Sequence, residues 1–222
     1  IDGPAGAGKS TVAHQVAAKL KLVYLDTGAM YRAITWLVLQ HGIKVDDECA
    51  IAELVSHYCI ELTPSEDPLY SLTIMINGNN LNEEIRSVEV TSNVSAVASH
   101  KSVRQALVKQ QQTWGQKGGL VAEGRDIGTH VFPDAEVKIF LNASIEERAR
   151  RRQQDFQRQG EPEVSLEKLE KQIAERDWKD SNREVSPLQK ANNAIEINTD
   201  GLTVSQVTAI IIQKYQHLIS EL

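Results

Sequence analysis

The chain has 222 residues, 41% of them hydrophobic and 24% charged, with a formal net charge of −6. That balance suits a globular protein with a full core, and it argues against a protein whose main task is gripping nucleic acid, which rests on a broad basic surface. The longest nearly continuous apolar stretches, 33–39 and 207–212, fall well short of the roughly 20 residues that cross a bilayer, so no membrane association is expected.

The first ten residues carry the most informative pattern. Gly3, Pro4, Ala5, Gly6, Ala7, Gly8, Lys9 and Ser10 match G-x-x-x-x-G-K-[ST] with no mismatch. A loop closing around a polyphosphate must point successive backbone N–H groups inward, and glycines permit this by reaching positive φ. Lys9 would reach the β and γ phosphates, the Ser10 hydroxyl would ligate magnesium, and the following helix would aim the positive end of its dipole at the anion. Val12, Ala13, Val16, Ala17 and Leu20 supply the helical spacing. Such a loop follows a buried strand, so Ile1 and Asp2 read as the end of a first strand whose start is missing.

Leu22 to Leu25 reads as a buried strand leading into a turn at Asp26-Thr27-Gly28, and a helix is expected from about Ala29 to Gln40, buried through Ala33, Ile34, Leu37 and Val38 and ended by Gly42. A further helix is expected over Asp46 to about Tyr58, with Ile51, Leu54 and Val55 on one face. The period then becomes alternating from Tyr70 to Ile76, and Asn77-Gly78 is a strong hairpin signal. With 60–63 before it and Leu81 after it, this predicts a small antiparallel insert of about three strands. Helices resume from about Val88 to Trp114, broken near His100. Leu120 to Ala122 and Val137 to Leu141 have the length of parallel core strands. Ser144 with Glu147 predicts a capping box at the head of an arginine-rich helix reaching about Gly160. Ser165 to about Asn182 is another helix, 194–197 a last strand, and Thr203 with Gln206 caps a closing helix whose Val204, Val207, Ile211 and Leu218 face the core. Strands alternating with helices around a phosphate-binding loop predict an α/β fold, a parallel sheet covered on both faces. Cys49 and Cys59 lack metal-ligand spacing and read as reduced, cytosolic thiols.

A phosphate-binding loop alone does not separate kinases from GTPases, motors or transporter ATPases. The chain lacks the Asn-Lys-x-Asp of GTPases and the Leu-Ser-Gly-Gly-Gln of transporters. It carries arginines suited to clamping a second phosphorylated substrate, because the planar guanidinium fork binds phosphate oxygens bidentately. Arg32 follows the Asp26 turn and Arg125 follows a core strand, both where ligands bind beyond the carboxyl ends of the strands. Arg176, Asp180 and Arg183 recur at helical spacing. Arg148, Arg150, Arg151 and Arg152 put four cations in five helical positions, which would destabilise the helix unless an anion met them. A solvated face is the plain reading; a lid closing over the transferring phosphate is the sharper one.

The segments Ile1 to Thr11, Asp26 to Arg32, Glu123 to Thr129 and Glu175-Arg176-Asp177 through Asp180-Ser181-Asn182-Arg183 together resemble bacterial cytidylate kinases, and the resemblance covers nearly the whole chain. It implies one P-loop kinase domain over 1–222, with a nucleoside-monophosphate-binding subdomain at about 29–100, the antiparallel insert at about 60–82 and a helical lid at about 148–163. It further implies that Gly3 to Thr11 bind ATP with magnesium. Arg32, Arg125 and Arg183 would hold the phosphate of CMP, Arg176 and Asp180 its sugar, and Ser95, Arg104 and Asp126 the cytosine, with Thr27 and Tyr31 lining the same pocket. Catalysis would fall to Lys9, Arg125, Arg183 and the lid arginines Arg148 and Arg152. Thr27 stands where a serine is also found in the family, and Ser10 where some members have glycine, which leaves Thr11 as a second hydroxyl near the metal. A monomeric cytoplasmic enzyme is expected, acting on ATP and CMP or dCMP. The alternatives are another small-molecule kinase of adenylate or shikimate type, and a nonenzymatic nucleotide sensor using the arginine helix to contact RNA or a protein.

Overall fold

The computed structural model describes residues 1–65, 72–160 and 162–220. In chain order the first elements are α1 (Lys9–Leu20), β1 (Val23–Asp26), α2 (Thr27–Gln40), α3 (Glu48–His57), β2 (Glu61–Pro64), β3 (Leu72–Ile76), β4 (Asn79–Asn80), α4 (Val88–Val97) and α5 (Lys101–Gly115). Then come β5 (Leu120–Glu123), a π-helical turn at Ile127–Val131, β6 (Ile139–Asn142), α6 (Ile145–Gln159), α7 (Leu166–Asn182), β7 (Ile195–Asn198) and α8 (Val204–Ser220). The chain divides into two compact units, one formed by 1–20 with 123–222 and the other by 21–122.

The first unit is built on parallel pairing. β6 and β7 run parallel, Ile139 opposite Ile195 and Leu141 opposite Ile197. Asp2 makes parallel bridges to both Gly124 and Phe140, so the residue just before the glycine-rich loop sits between β6 and the end of β5. Val12, Ala13, Val16 and Ala17 of α1 are buried as their spacing predicts, and α8 packs on α1, with Thr208 donating to Gln15 at 3.3 Å. α6 and α7 pack through Ala149, Leu169 and Ile173, with Ile145, Phe156 and Val164 at the margin.

The second unit buries Ala33, Ile34, Leu37 and Val38 of α2 and Ile51, Leu54 and Val55 of α3. Its antiparallel sheet has the order β2-β3-β4, with Leu62 opposite Ile74. The buried Asn82 side chain closes it by accepting from the Ile74 N–H at 3.1 Å. Cys49 and Cys59 both lie in this unit, free and exposed. Among the described residues, no helix is long and apolar enough to cross a membrane.

The structure corrects several local expectations. α2 begins at Thr27, because the Asp26 carboxylate accepts from the Ala29 N–H at 3.0 Å and draws the turn into the helix. The third strand of the insert is at Asn79–Asn80, directly after the Asn77-Gly78 turn, and Leu81 lies beyond it. Tyr70 and Ser71, expected at the start of β3, lie outside the described residues. Val204 is exposed, because α8 starts there and its first turn clears the core. Arg183 has extended backbone (φ −68°, ψ 145°) just past α7, so it does not continue the helical face of Arg176 and Asp180.

Candidate active site

The glycine-rich loop of the first unit is shaped by three residues with positive φ, Gly3 at 149°, Gly6 at 77° and Gly8 at 88°. Gly3 has a second constraint: a Cβ there would lie 2.1 Å from the Leu141 carbonyl oxygen. At Gly6 a Cβ would press on Arg148, with its Cβ at 3.2 Å. The loop thus passes close against β6 and α6.

Lys9 is buried, and its Nζ donates to the Pro4 carbonyl at 2.7 Å. Burial disfavours the ammonium and Arg125 repels it, with Arg176 adding to the repulsion and Glu123 partly offsetting it; together they lower its pKa to about 7. The Ser10 hydroxyl donates to the buried Glu123 carboxylate at 2.6 Å. A hydroxyl beside a carboxylate is a hard-oxygen pair, and it fits a magnesium ion held mainly by nucleotide phosphates.

Asp2 positions the neighbouring loop. Its two carboxylate oxygens accept from the N–H groups of Ile127 and Gly128 at 2.8 and 2.7 Å, which pins the turn directly after Arg125 and Asp126. Arg125 Nε donates to Asp180 at 2.9 Å. Burial by itself would favour the neutral acid at Asp180, but Arg125, Arg176 and Arg183 hold its carboxyl below the usual carboxylate range. Arg183 donates to the Ser186 carbonyl at 2.7 Å and meets Asp126 at 3.4 Å, with both side chains almost fully buried. Two of the three arginines expected at the acceptor phosphate, Arg125 and Arg183, are therefore joined to the carboxylates expected at its sugar and base.

The arginine helix α6 is satisfied from within the first unit. Arg148 is buried, donating to the carbonyls of Ala143 and Ala5, each at 3.0 Å, and pairing with Asp177. Arg151 reaches the Thr199 hydroxyl and carbonyl at 3.0 and 2.6 Å, while Glu147 pairs with both Arg150 and Arg151. Arg152 lies over the Phe156 ring at 5.0 Å. The four cations are thus tolerated through intramolecular partners, and Arg148 and Arg151 brace the glycine-rich loop from behind.

The remaining expected residues lie in the second unit. Thr27 and Tyr31 are buried on α2. Arg32 donates to the Ile85 carbonyl at 3.2 Å and the Thr91 hydroxyl at 2.9 Å. Arg104, only 2% exposed on α5, donates to the Ala98 carbonyl at 3.2 Å and lies 5.1 Å from the Tyr31 ring centroid, so Tyr31 and Arg104 are brought together. Ser95 is half-buried on α4. Sequence reasoning gave no role to Asp2, Glu123, Asp177 or Thr199. Each is a polar group at the sheet ends or on α7 whose partner is remote in sequence, and no local spacing advertises that.

The family described as cytidylate kinase matches residues 1–217. Relatives named bifunctional pantoate ligase/cytidylate kinase from Nostoc sp. and Trichormus variabilis are 70% and 69% identical over 221 residues, all of this chain and 41% of each relative. One of the same name from Trichodesmium erythraeum is 54% identical over 97% of this chain and 40% of its own length. The chain spans about two-fifths of these relatives. Among solved structures, an uncharacterized protein from Eubacterium ventriosum superimposes with a TM-score of 0.50 at 10% identity, covering 97% of this chain and 96% of that one, a likeness of fold alone.

Proposed function

Because the chain belongs to the cytidylate kinase family, we propose that it transfers the γ-phosphoryl group of Mg·ATP to CMP or dCMP, giving ADP and the diphosphate. The observation that carries this reading is the glycine-rich loop itself, turned by Gly3, Gly6 and Gly8 at positive φ, with Lys9 buried against the Pro4 carbonyl and Ser10 beside Glu123. Arg125, the residue expected at the acceptor phosphate, is held in place by Asp180, so a phosphate would meet a preset guanidinium.

The attacking acceptor oxygen is already anionic at neutral pH, so no strong base is needed. The protein's work is positioning and neutralising charge. The amides of the glycine-rich loop and Lys9 take the donor polyphosphate. Arg32, Arg125 and Arg183 take the acceptor phosphate, Arg176 and Asp180 its sugar, and Arg148 and Arg152 on α6 stand where the resemblance puts the lid arginines of the transferring phosphate. Magnesium bound with ATP adds charge neutralisation at the β and γ phosphates, and Ser10 beside Glu123 is where this chain would hold it. Ser95, Arg104 and Asp126 read the base. Asp126 suits the amino group of cytosine, whereas uracil offers a carbonyl there, so the carboxylate meets an acceptor in place of a donor, at a cost on the order of 1–3 kcal/mol. Family membership and the two free thiols support a cytoplasmic enzyme, and the acidic composition is consistent with a monomer.

The test is ADP production from Mg·ATP with CMP, dCMP, UMP, AMP and GMP offered separately, beside a control without acceptor. Activity with CMP and dCMP alone is expected. Preference for another acceptor would keep the kinase and overturn the base-reading trio, and inactivity with all five would overturn the reaction.

A further inference from the structure

Pro4 and Ala5 share one peptide group, and the structure grips it from both sides. Its carbonyl, on Pro4, accepts from Lys9 Nζ at 2.7 Å, and its N–H, on Ala5, donates to Asp177 Oδ1 at 3.0 Å. The group is trans, so its C=O and N–H point in opposite directions and fixing one fixes the other. The second Asp177 oxygen pairs with Arg148, and the same arginine nitrogen donates to the Ala5 carbonyl at 3.0 Å. Asp177 and Arg148 come from α7 and α6, which are locked together by Ala149, Leu169 and Ile173. No step of the reaction above uses Asp177.

We propose that Asp177 is a positioning residue for Lys9, its carboxylate setting the Pro4–Ala5 peptide so that the peptide's carbonyl anchors the lysine where donor phosphates reach it. A carboxylate suits this task because a charge-assisted bond to a backbone N–H is shorter and stronger than a neutral one, and the Arg148 pair keeps that carboxylate from turning away. A buried ammonium has few other acceptors, so the direction of the Pro4 carbonyl decides where it rests. The role rests on the phosphoryl-transfer reading, since it assumes that Lys9 meets ATP.

The test is equilibrium binding of Mg·ATP by calorimetry to the unaltered chain, Asp177→Ala, Asp177→Asn, Lys9→Met, and each Asp177 variant combined with Lys9→Met, with thermal unfolding run on all. Asp177→Ala is expected to weaken binding about tenfold, the scale of one buried hydrogen bond. Asp177→Asn, whose amide oxygen still accepts from Ala5, should recover most of that loss. In the Lys9→Met background neither substitution should weaken binding further, because the residue being positioned is gone. An equal loss in both backgrounds, or none in either, would overturn the positioning role while leaving the kinase reading intact. Should Asp177→Ala fail to fold, the smaller loss in Asp177→Asn carries the same comparison. Failure of the unaltered chain to bind Mg·ATP would overturn the proposed function and this role with it.

Discussion

Lys9 is a buried ammonium whose pKa of about 7 leaves it largely neutral above neutrality. A bound polyphosphate favours the charged form, so binding at pH 8 should take up a proton, and the uptake should vanish below about pH 6, where the lysine is already charged. Calorimetry in two buffers of different ionisation enthalpy reads this directly, and Lys9→Met should abolish it. The same lowered pKa makes the ligand-free fold less stable as pH falls from the ordinary lysine value of 10.5 toward about 7, with no further loss from this group below that. Gly3→Ala meets a carbonyl oxygen at 2.1 Å and an unfavourable φ of 149° together. We expect it to cost more than about 4 kcal/mol or to prevent folding, as judged by urea denaturation. At this scale the contiguous motif made the loop, Lys9 and Ser10 readable from the sequence. Glu123 and Asp177 were not assigned, because their bonds span 113 and 172 residues and leave no periodic trace.

The arginine helix α6 shows why equal charges in a row do not do equal work. Arg150 is half-exposed and pairs with Glu147, three residues back. Arg150→Ala should therefore change stability by less than about 0.5 kcal/mol and leave turnover intact. Arg148→Met leaves Asp177 without its ion pair and the Ala5 carbonyl without its donor, so a loss of about 3–5 kcal/mol is expected in the same urea experiment. Helix positions were largely legible because apolar spacing sets them. Caps were half legible. Thr203 and Gln206 form the full reciprocal box, each side chain accepting from the other's N–H. Ser144 accepts from Glu147, but its own N–H goes to Asp200 at 2.9 Å and the Glu147 carboxylate turns to Arg150 and Arg151. A competing acceptor from beyond β7 decides that outcome, and the local tetrapeptide does not contain it.

The whole chain is acidic at −6, and of the cations that the first unit gathers near the glycine-rich loop and the ends of its strands, Arg125, Arg148, Arg151 and Arg183 are paired with Asp180, Asp177, Glu147 and Asp126. The α/β class and the antiparallel insert were legible because the hydrophobic period, the Asn77-Gly78 turn and the phosphate-binding loop together separate those strands from the helices. The division into two compact units was not, since no linker composition marks the crossings near residues 20 and 122. Cys49 and Cys59, the chain's two thiols, are exposed and both belong to 21–122. A maleimide fluorophore would therefore label that half alone and leave the phosphate-binding half dark, so the native chain comes ready to report on one unit by colour, and one cysteine added to the exposed face of α8 would turn the pair into a molecular ruler.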